Sequence, residues 1–108
     1  MARISTHVLD IAKGAPAAGI KVELHFDGIL VASAMTNADG RTDVPILIGD
    51  EIPVGRYELV FHAGDYFGAP GIAFLDEIVI RFGVADSLGN YHVPLLMAPH
   101  GYSTYRGS

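Results

Sequence analysis

The chain is 108 residues long, the size of one ordinary domain over residues 1–108, and it contains no cysteine, which excludes disulfides and thiolate chemistry. Half of the residues are hydrophobic and 18% are charged, which excludes a disordered or charge-solvated chain. Seven basic against twelve acidic residues leave a formal net charge of −5 with no basic cluster, so nucleic acid is a poor partner, and no apolar run approaches the roughly 20 residues that span a membrane.

The mean hydropathy of +0.34 is high for so small a domain, so part of the apolar surface is expected to be covered by other subunits. The start, Met1-Ala2-Arg3-Ile4-Ser5-Thr6-His7, lacks the apolar core of a signal peptide, and a cytoplasmic location is the expectation.

Taken along the chain, Ser5-Thr6-His7-Val8-Leu9-Asp10 reads as a first strand in which His7 has polar neighbours on both sides. Residues 20–26 alternate, with Ile20, Val22, Leu24 and Phe26 on one face and Lys21, Glu23 and His25 on the other, which is the pattern of a half-buried strand. The same period sets Tyr57, Leu59 and Phe61 against Arg56, Glu58 and His62, and Ile78, Ile80, Phe82 and Val84 against Glu77, Arg81 and Gly83. Residues 89–97 alternate less cleanly, and Pro94, which has no N–H for a ladder, points there to a sheet edge or a bulge.

Turn signals separate these runs at Lys13-Gly14-Ala15-Pro16, Asn37-Ala38-Asp39-Gly40, Pro53-Val54-Gly55, Asp86-Ser87-Leu88-Gly89 and Ala98-Pro99-His100-Gly101. Only residues 63–74 can hold a helix, with Asp65 as its candidate start and Gly68, Pro70 and Gly71 limiting it to a turn or two. The pattern predicts an all-β chain: an antiparallel β-sandwich of seven to eight short strands with at most one short helix.

No phosphate-binding glycine loop, His-Glu-x-x-His or Gly-x-Ser-x-Gly motif is present, and the five histidines lack the close spacings of a zinc site, so no metal is expected. His25 and His62 sit on polar strand faces, where a solvated or cross-strand role is the ordinary one. His7 and His92 differ, because His92 stands on a non-core strand face whose other members are apolar, and a titratable group there suggests an interface or pocket. Taken singly, each is still more simply read as structural. Arg41 follows the Asp39-Gly40 turn and is either a surface cation beside Asp39 or Asp43, or a guanidinium fork for a planar, oxygen-rich substrate. The final run, Gly101 to Ser108, alternates aromatic and hydroxyl residues like a strand that is tied down, with tyrosines that could pack between subunits.

Three segments together resemble the 5-hydroxyisourate hydrolase family, also called transthyretin-related or transthyretin-like proteins. They are Ser5-Thr6-His7-Val8-Leu9-Asp10 with Gly14-Ala15-Pro16-Ala17, then Thr36-Asn37-Ala38-Asp39-Gly40-Arg41-Thr42, and the ending from Tyr91-His92-Val93-Pro94-Leu95-Leu96 to Tyr102-Ser103-Thr104-Tyr105-Arg106-Gly107-Ser108. The terminal Tyr-Arg-Gly-Ser is the most specific, since it separates these hydrolases from transthyretin, the hormone carrier of the same fold. His100, where the family usually has tyrosine, and the broken segment Gly68-Ala69-Pro70-Gly71 are departures that touch none of the motif residues.

The resemblance implies a transthyretin-like sandwich, a homotetramer built as a dimer of dimers with active sites in clefts between the dimers, and no cofactor. It implies hydrolysis of 5-hydroxyisourate, a product of urate oxidation, to a carboxylated ureidoimidazoline by opening a cyclic amide. Position by position, the family's functional residues fall on His7, Arg41, His92 and Tyr105-Arg106-Gly107-Ser108. The expected roles follow from the chemistry. His7 and His92 flank the water, one as general base and the other as its orienting partner with the choice between them open, and Arg41 holds the ring and stabilises developing charge. Ser108, with a terminal carboxylate, positions substrate or water in the cleft, and Tyr105 and Arg106 shape its wall. Imidazoles beside a guanidinium are expected to have lowered pKa values. The competing readings are a transthyretin-like tetrameric carrier of a flat aromatic ligand, which needs an apolar channel, and a structural sandwich in which the histidines are incidental.

Overall fold

Residues of one phase along each alternating run are buried and those of the other are not, and this sorting produces two facing sheets. The computed structural model describes residues 1–68 and 71–108. In chain order the elements are β1 (Ala2–Asp10), β2 (Ala15–Pro16), β3 (Lys21–Phe26), β4 (Ile29–Met35), β5 (Leu47–Gly49), β6 (Gly55–His62), α1 (Ala63–Phe67), β7 (Glu77–Val84), β8 (Asn90–Ala98) and β9 (Gly101–Thr104). One sheet has the order β2-β1-β8-β9, with β5 also on β1, and the other has the order β4-β3-β6-β7.

The core between them holds Ile4 and Val8 of β1, Val22 and Leu24 of β3, Tyr57, Leu59 and Phe61 of β6, Ile78 and Ile80 of β7, and Tyr91, Val93, Leu95 and Met97 of β8. Two polar side chains of β1 also point inward, and both are satisfied. The Thr6 hydroxyl donates to the Val93 carbonyl at 2.7 Å, while Asp10 accepts from the Ala12 and Lys13 amides and the Tyr66 hydroxyl.

The sequence pattern counts seven to eight strands, and the described residues hold nine. The additions are β2 and β5, two and three residues long, too short to show a period. The sandwich is antiparallel except at β1 and β8, which pair in parallel from Arg3 opposite Asn90 to Asp10 opposite Met97. These strands lie at opposite ends of the sequence, so no hairpin ties them to an antiparallel course.

Pro94 makes no bulge, since the β1–β8 register runs unshifted past its pairing with His7, and on its other side it stands one residue beyond the last β8–β9 pair, where the ladder is open. Its place follows from the register. β9 pairs with β8 down to Thr104 opposite Leu95, and the tail re-enters the same register at an isolated bridge of Gly107 to His92. Between them Tyr105 falls opposite Pro94, at a position where the β8 residue would have donated, so the ladder lapses there and the lost hydrogen bond meets no buried acceptor.

The helix is one turn and a half, as the glycines require. Gly68 closes it at φ 59°, donating its N–H to the Gly64 carbonyl. Asp65 lies in the first turn and does not begin the helix; His62 holds the N-cap position without a side-chain cap. Residues 69 and 70 of the Gly68–Gly71 segment lie outside the described residues. No helix among the described residues is long and apolar enough to cross a membrane.

Candidate active site

The outward phase of β1 carries Arg3, Ser5 and His7, while Ile4, Thr6 and Val8 point into the core. Parallel pairing sets Asn90 of β8 beside Arg3 and His92 beside Ser5. The two sequence-predicted histidines are thereby brought to one face from strands eighty-odd residues apart. The Ser5 hydroxyl lies 2.8 Å from His92 Nδ1. His7 Nε2 lies 2.9 Å from the Asp39 carbonyl oxygen, an atom that only accepts, so Nε2 carries the proton and the free lone pair of neutral His7 is on Nδ1.

Arg41 is placed by backbone rather than by its own contacts. The Asn37 side-chain oxygen accepts from the amides of Asp39 and Arg41, and the Asn37 amide donates to the Arg41 carbonyl, which folds residues 37–41 into a tight turn. The turn then docks on β1 through the Val8 amide and the Gly40 carbonyl at 2.8 Å, and Arg41 bridges His7. Gly40 sits at φ 75°, and a Cβ there would collide with the Val8 carbonyl oxygen, so only glycine lets the turn come this close.

The tail completes the wall. The Gly107 amide donates to the His92 carbonyl at 2.8 Å, and a Cβ on Gly107 would lie 2.5 Å from His92 Cδ2, so the backbone passes flat against the imidazole. Ser108 is carried beyond it into an open cavity of about 410 Å³. The cavity is lined by Arg3, Ser5 and Thr6 of β1, by Arg41, Thr42 and Pro45 of the turn and the segment after it, and by Asn90 and His92 of β8. His7 is not on the lining itself and borders it through Arg41.

Tyr105 and Arg106 depart from the expectation. They face a separate hollow of about 270 Å³ with Ile80, Phe82, Tyr91 and Val93, because the ladder lapse at Pro94 turns them away from the cleft. Arg106 stacks 4.4 Å from the Tyr91 ring centroid. In this chain they anchor the tail and do not shape the wall of the cavity.

Burial, and then the positive charges of Arg41, His7 and Arg3, hold the His92 imidazole below its usual pKa. The direction is the one the sequence reasoning anticipates, and it keeps a neutral imidazole with a free lone pair in the physiological range. Among the described residues, no group of three or more His, Cys, Asp or Glu side chains is gathered to hold a metal ion. Sequence reasoning passes over Arg3, Ser5, Asn37 and Asn90 as site residues. The signal for Arg3 and Ser5 was their shared phase with His7; Asn37 and Asn90 act through register and turn geometry, which no spacing shows.

A neutral histidine, a hydroxyl partner and guanidiniums on one polar wall are the parts of an acyl-hydrolysing site. The sequence profile described as the HIUase/Transthyretin family matches residues 4–107. This chain belongs to that family. The 5-hydroxyisourate hydrolase of Pseudomonas aeruginosa is 52% identical over 117 residues, an alignment that covers 100% of this chain and 93% of that protein. The solved 5-hydroxyisourate hydrolase of Klebsiella pneumoniae is 38% identical, with a TM-score of 0.87 and 100% of both chains covered. The solved (S)-allantoin synthase is 41% identical at a TM-score of 0.91; the match covers 99% of this chain but only 44% of that one. Transthyretin from Sparus aurata, 23% identical at a TM-score of 0.84 over 96% of this chain and 95% of its own, shares the HIUase/Transthyretin fold.

Proposed function

We propose that this chain hydrolyses 5-hydroxyisourate, opening the cyclic amide of its six-membered ring within urate degradation. The observation that carries the mechanism is the convergence of His92, Ser5, Arg41 and Ser108 on one open cavity, with His92 held neutral by its surroundings. The carrier reading calls for an apolar channel, whereas the cavity that gathers these residues is lined by Arg3, Arg41, Asn90 and His92.

In this reading the neutral His92 ring carries its proton on Nδ1, where the Ser5 hydroxyl 2.8 Å away accepts it, and the lone pair on Nε2 takes a proton from water. The water oxygen bonds to the ring carbonyl carbon, and Arg41 stabilises the charge that gathers on the carbonyl oxygen. Collapse of this intermediate breaks the C–N bond, and the proton held by His92 goes to the leaving nitrogen. His7, oriented by the Asp39 carbonyl, holds Arg41 in place and orders the water. Gly107 and Ser108 close the end of the cleft, held there by the Tyr105-Arg106 anchor, and Ser108 positions substrate. The cavity is open on the outer face of the β1–β8 sheet, as a site completed between the dimers of a homotetramer would be.

The decay of freshly generated 5-hydroxyisourate with chelator-treated protein, against spontaneous hydrolysis and a His92→Asn variant, tests the reading. Acceleration by the wild type and its loss in the variant are expected; no acceleration by the wild type overturns the activity.

A further inference from the structure

The proposed mechanism employs Arg41, His7, His92 and the tail, yet leaves one cation of the same wall without a task. Arg3 lies four residues before His7 in the same outward phase of β1, so the two stand about 13 Å apart along the strand at a rise of about 3.3 Å per residue. His92 is registered with Ser5, midway between them. The Arg3 side chain lines the cavity together with Arg41 and Ser108.

Three other cations of the molecule are already engaged. Arg81 pairs with Glu58, Lys21 pairs with Glu23, and Arg106 lies on the Tyr91 ring. Among the described residues, no carboxylate stands within ion-pair distance of Arg3, which leaves five planar donors turned toward a polar cavity without an acceptor.

We propose that Arg3 is a substrate-binding residue whose guanidinium takes an oxygen of the planar ring at the end away from Arg41, so that two cations hold the ring across His92. The proposal rests on the hydrolase reading above and adds to it a residue outside the family motif. A planar oxo-ring carries acceptors at both ends, and a guanidinium presents donors in one plane, so two such groups fix both the position and the tilt of the ring over the base. Ring opening develops charge at the carbonyl held by Arg41, while the oxygen held by Arg3 at the other end is the same before and during the reaction, so Arg3 acts on binding and not on turnover. The groups facing His92 are then Arg3, Ser5 and His7 from β1, Arg41 from the turn, Asn90 from its own strand, and Gly107 and Ser108 from the tail. At this distance Arg3 is also the weakest of the charges that lower the His92 pKa, after Arg41 and His7.

The test compares wild type, Arg3→Met and Arg3→Lys. Steady-state hydrolysis of 5-hydroxyisourate should show KM raised about tenfold in Arg3→Met with kcat within about threefold, and partly restored in Arg3→Lys. Calorimetric binding of urate, a planar oxopurine that the site does not open, should weaken by a similar factor. In an imidazole titration followed by NMR, His92 should move up toward its ordinary value in Arg3→Met. Arg3 is exposed on the strand surface, so circular dichroism should be unchanged. Unchanged KM and urate affinity in an active Arg3→Met enzyme overturn the assignment of Arg3 and leave the hydrolase reading standing. Urate binding that depends on Arg3 in a wild type without hydrolysis overturns the hydrolase reading and leaves Arg3 as a ring-binding residue.

Discussion

Each outer face of the sandwich carries two histidines, and their neighbours make them different. On the β3–β6 face, His25 Nε2 and His62 Nε2 both approach one oxygen of Glu23, at 3.3 and 3.6 Å, and His62 Nδ1 lies 3.9 Å from Glu77. There the hydrogen bond from His25, opposed by partial burial and aided by the charges of His62 and Lys21, holds the Glu23 carboxyl below its usual pKa. On the β1–β8 face the neighbours are guanidiniums and a hydroxyl, and His92 is the group whose pKa falls. One face favours charged partners in contact; the other keeps a neutral base waiting. Alternation gives both faces a histidine pair, and only the docked turn and the tail set one pair beside a cavity.

The contrast is sharpest in turnover. His92→Asn should cost a factor on the order of 100 or more in kcat, the contribution of a general base, while the double change of His25 and His62 to Asn leaves kcat within about twofold. Equal losses in the two variants would erase the distinction between the faces. Removal of residues 105–108 should reduce turnover comparably with the fold intact by circular dichroism, since the deleted segment contributes Ser108 and the Gly107 clamp.

Gly107→Ala probes the same wall more gently. The added methyl must push the imidazole or the tail aside, and a displacement near 1 Å costs on the order of 10 to 100-fold in rate. The melting temperature should barely change, and a normal rate would show that the tail does not set the ring.

The pH dependence separates the faces next. Because the folded pKa of His92 is depressed, its unfolded form binds more protons on the acid side of about 6.5. Its contribution to stability is therefore present above that value and is lost as pH falls through the folded value. The acid limb of kcat/KM should likewise lie below about 6.5. Glu23 is also depressed, so its contribution is present above about 4.5 and fades as pH falls through its folded value. Denaturant titrations across both ranges should show the first slope flattened by His92→Asn and the second by Glu23→Gln. The smallest effect is on stability at neutral pH, where Glu23→Gln should change the unfolding free energy by less than about 1 kcal/mol and leave turnover unaltered.

Much of this was legible in the residues. The period-two runs named the core strands, and the ends of the turns were marked by Gly40, Gly89 and Gly101. The resemblance located His7, Arg41, His92 and the tail. What could not be read was whatever depends on which strand lies beside which. Pro94 argues for an edge until the partner of its missing N–H is known, and Tyr105 and Arg106 belong to the cleft only if the ladder runs unbroken past them. Ser5 and Arg3 line the cavity with His92 because β8 lies parallel to β1, a pairing invisible to local patterns.

That parallel pairing has a kinetic consequence. The hydroxyl and imidazole joined across β1 and β8 are separated by 87 positions in sequence, so the loop closed by their contact is among the longest the chain can form. Such closures come late, after local hairpins have already stored their gains. Catalytic competence should therefore return only in the final refolding phase, which makes hydrolysis a reporter of completed topology where circular dichroism reports its parts.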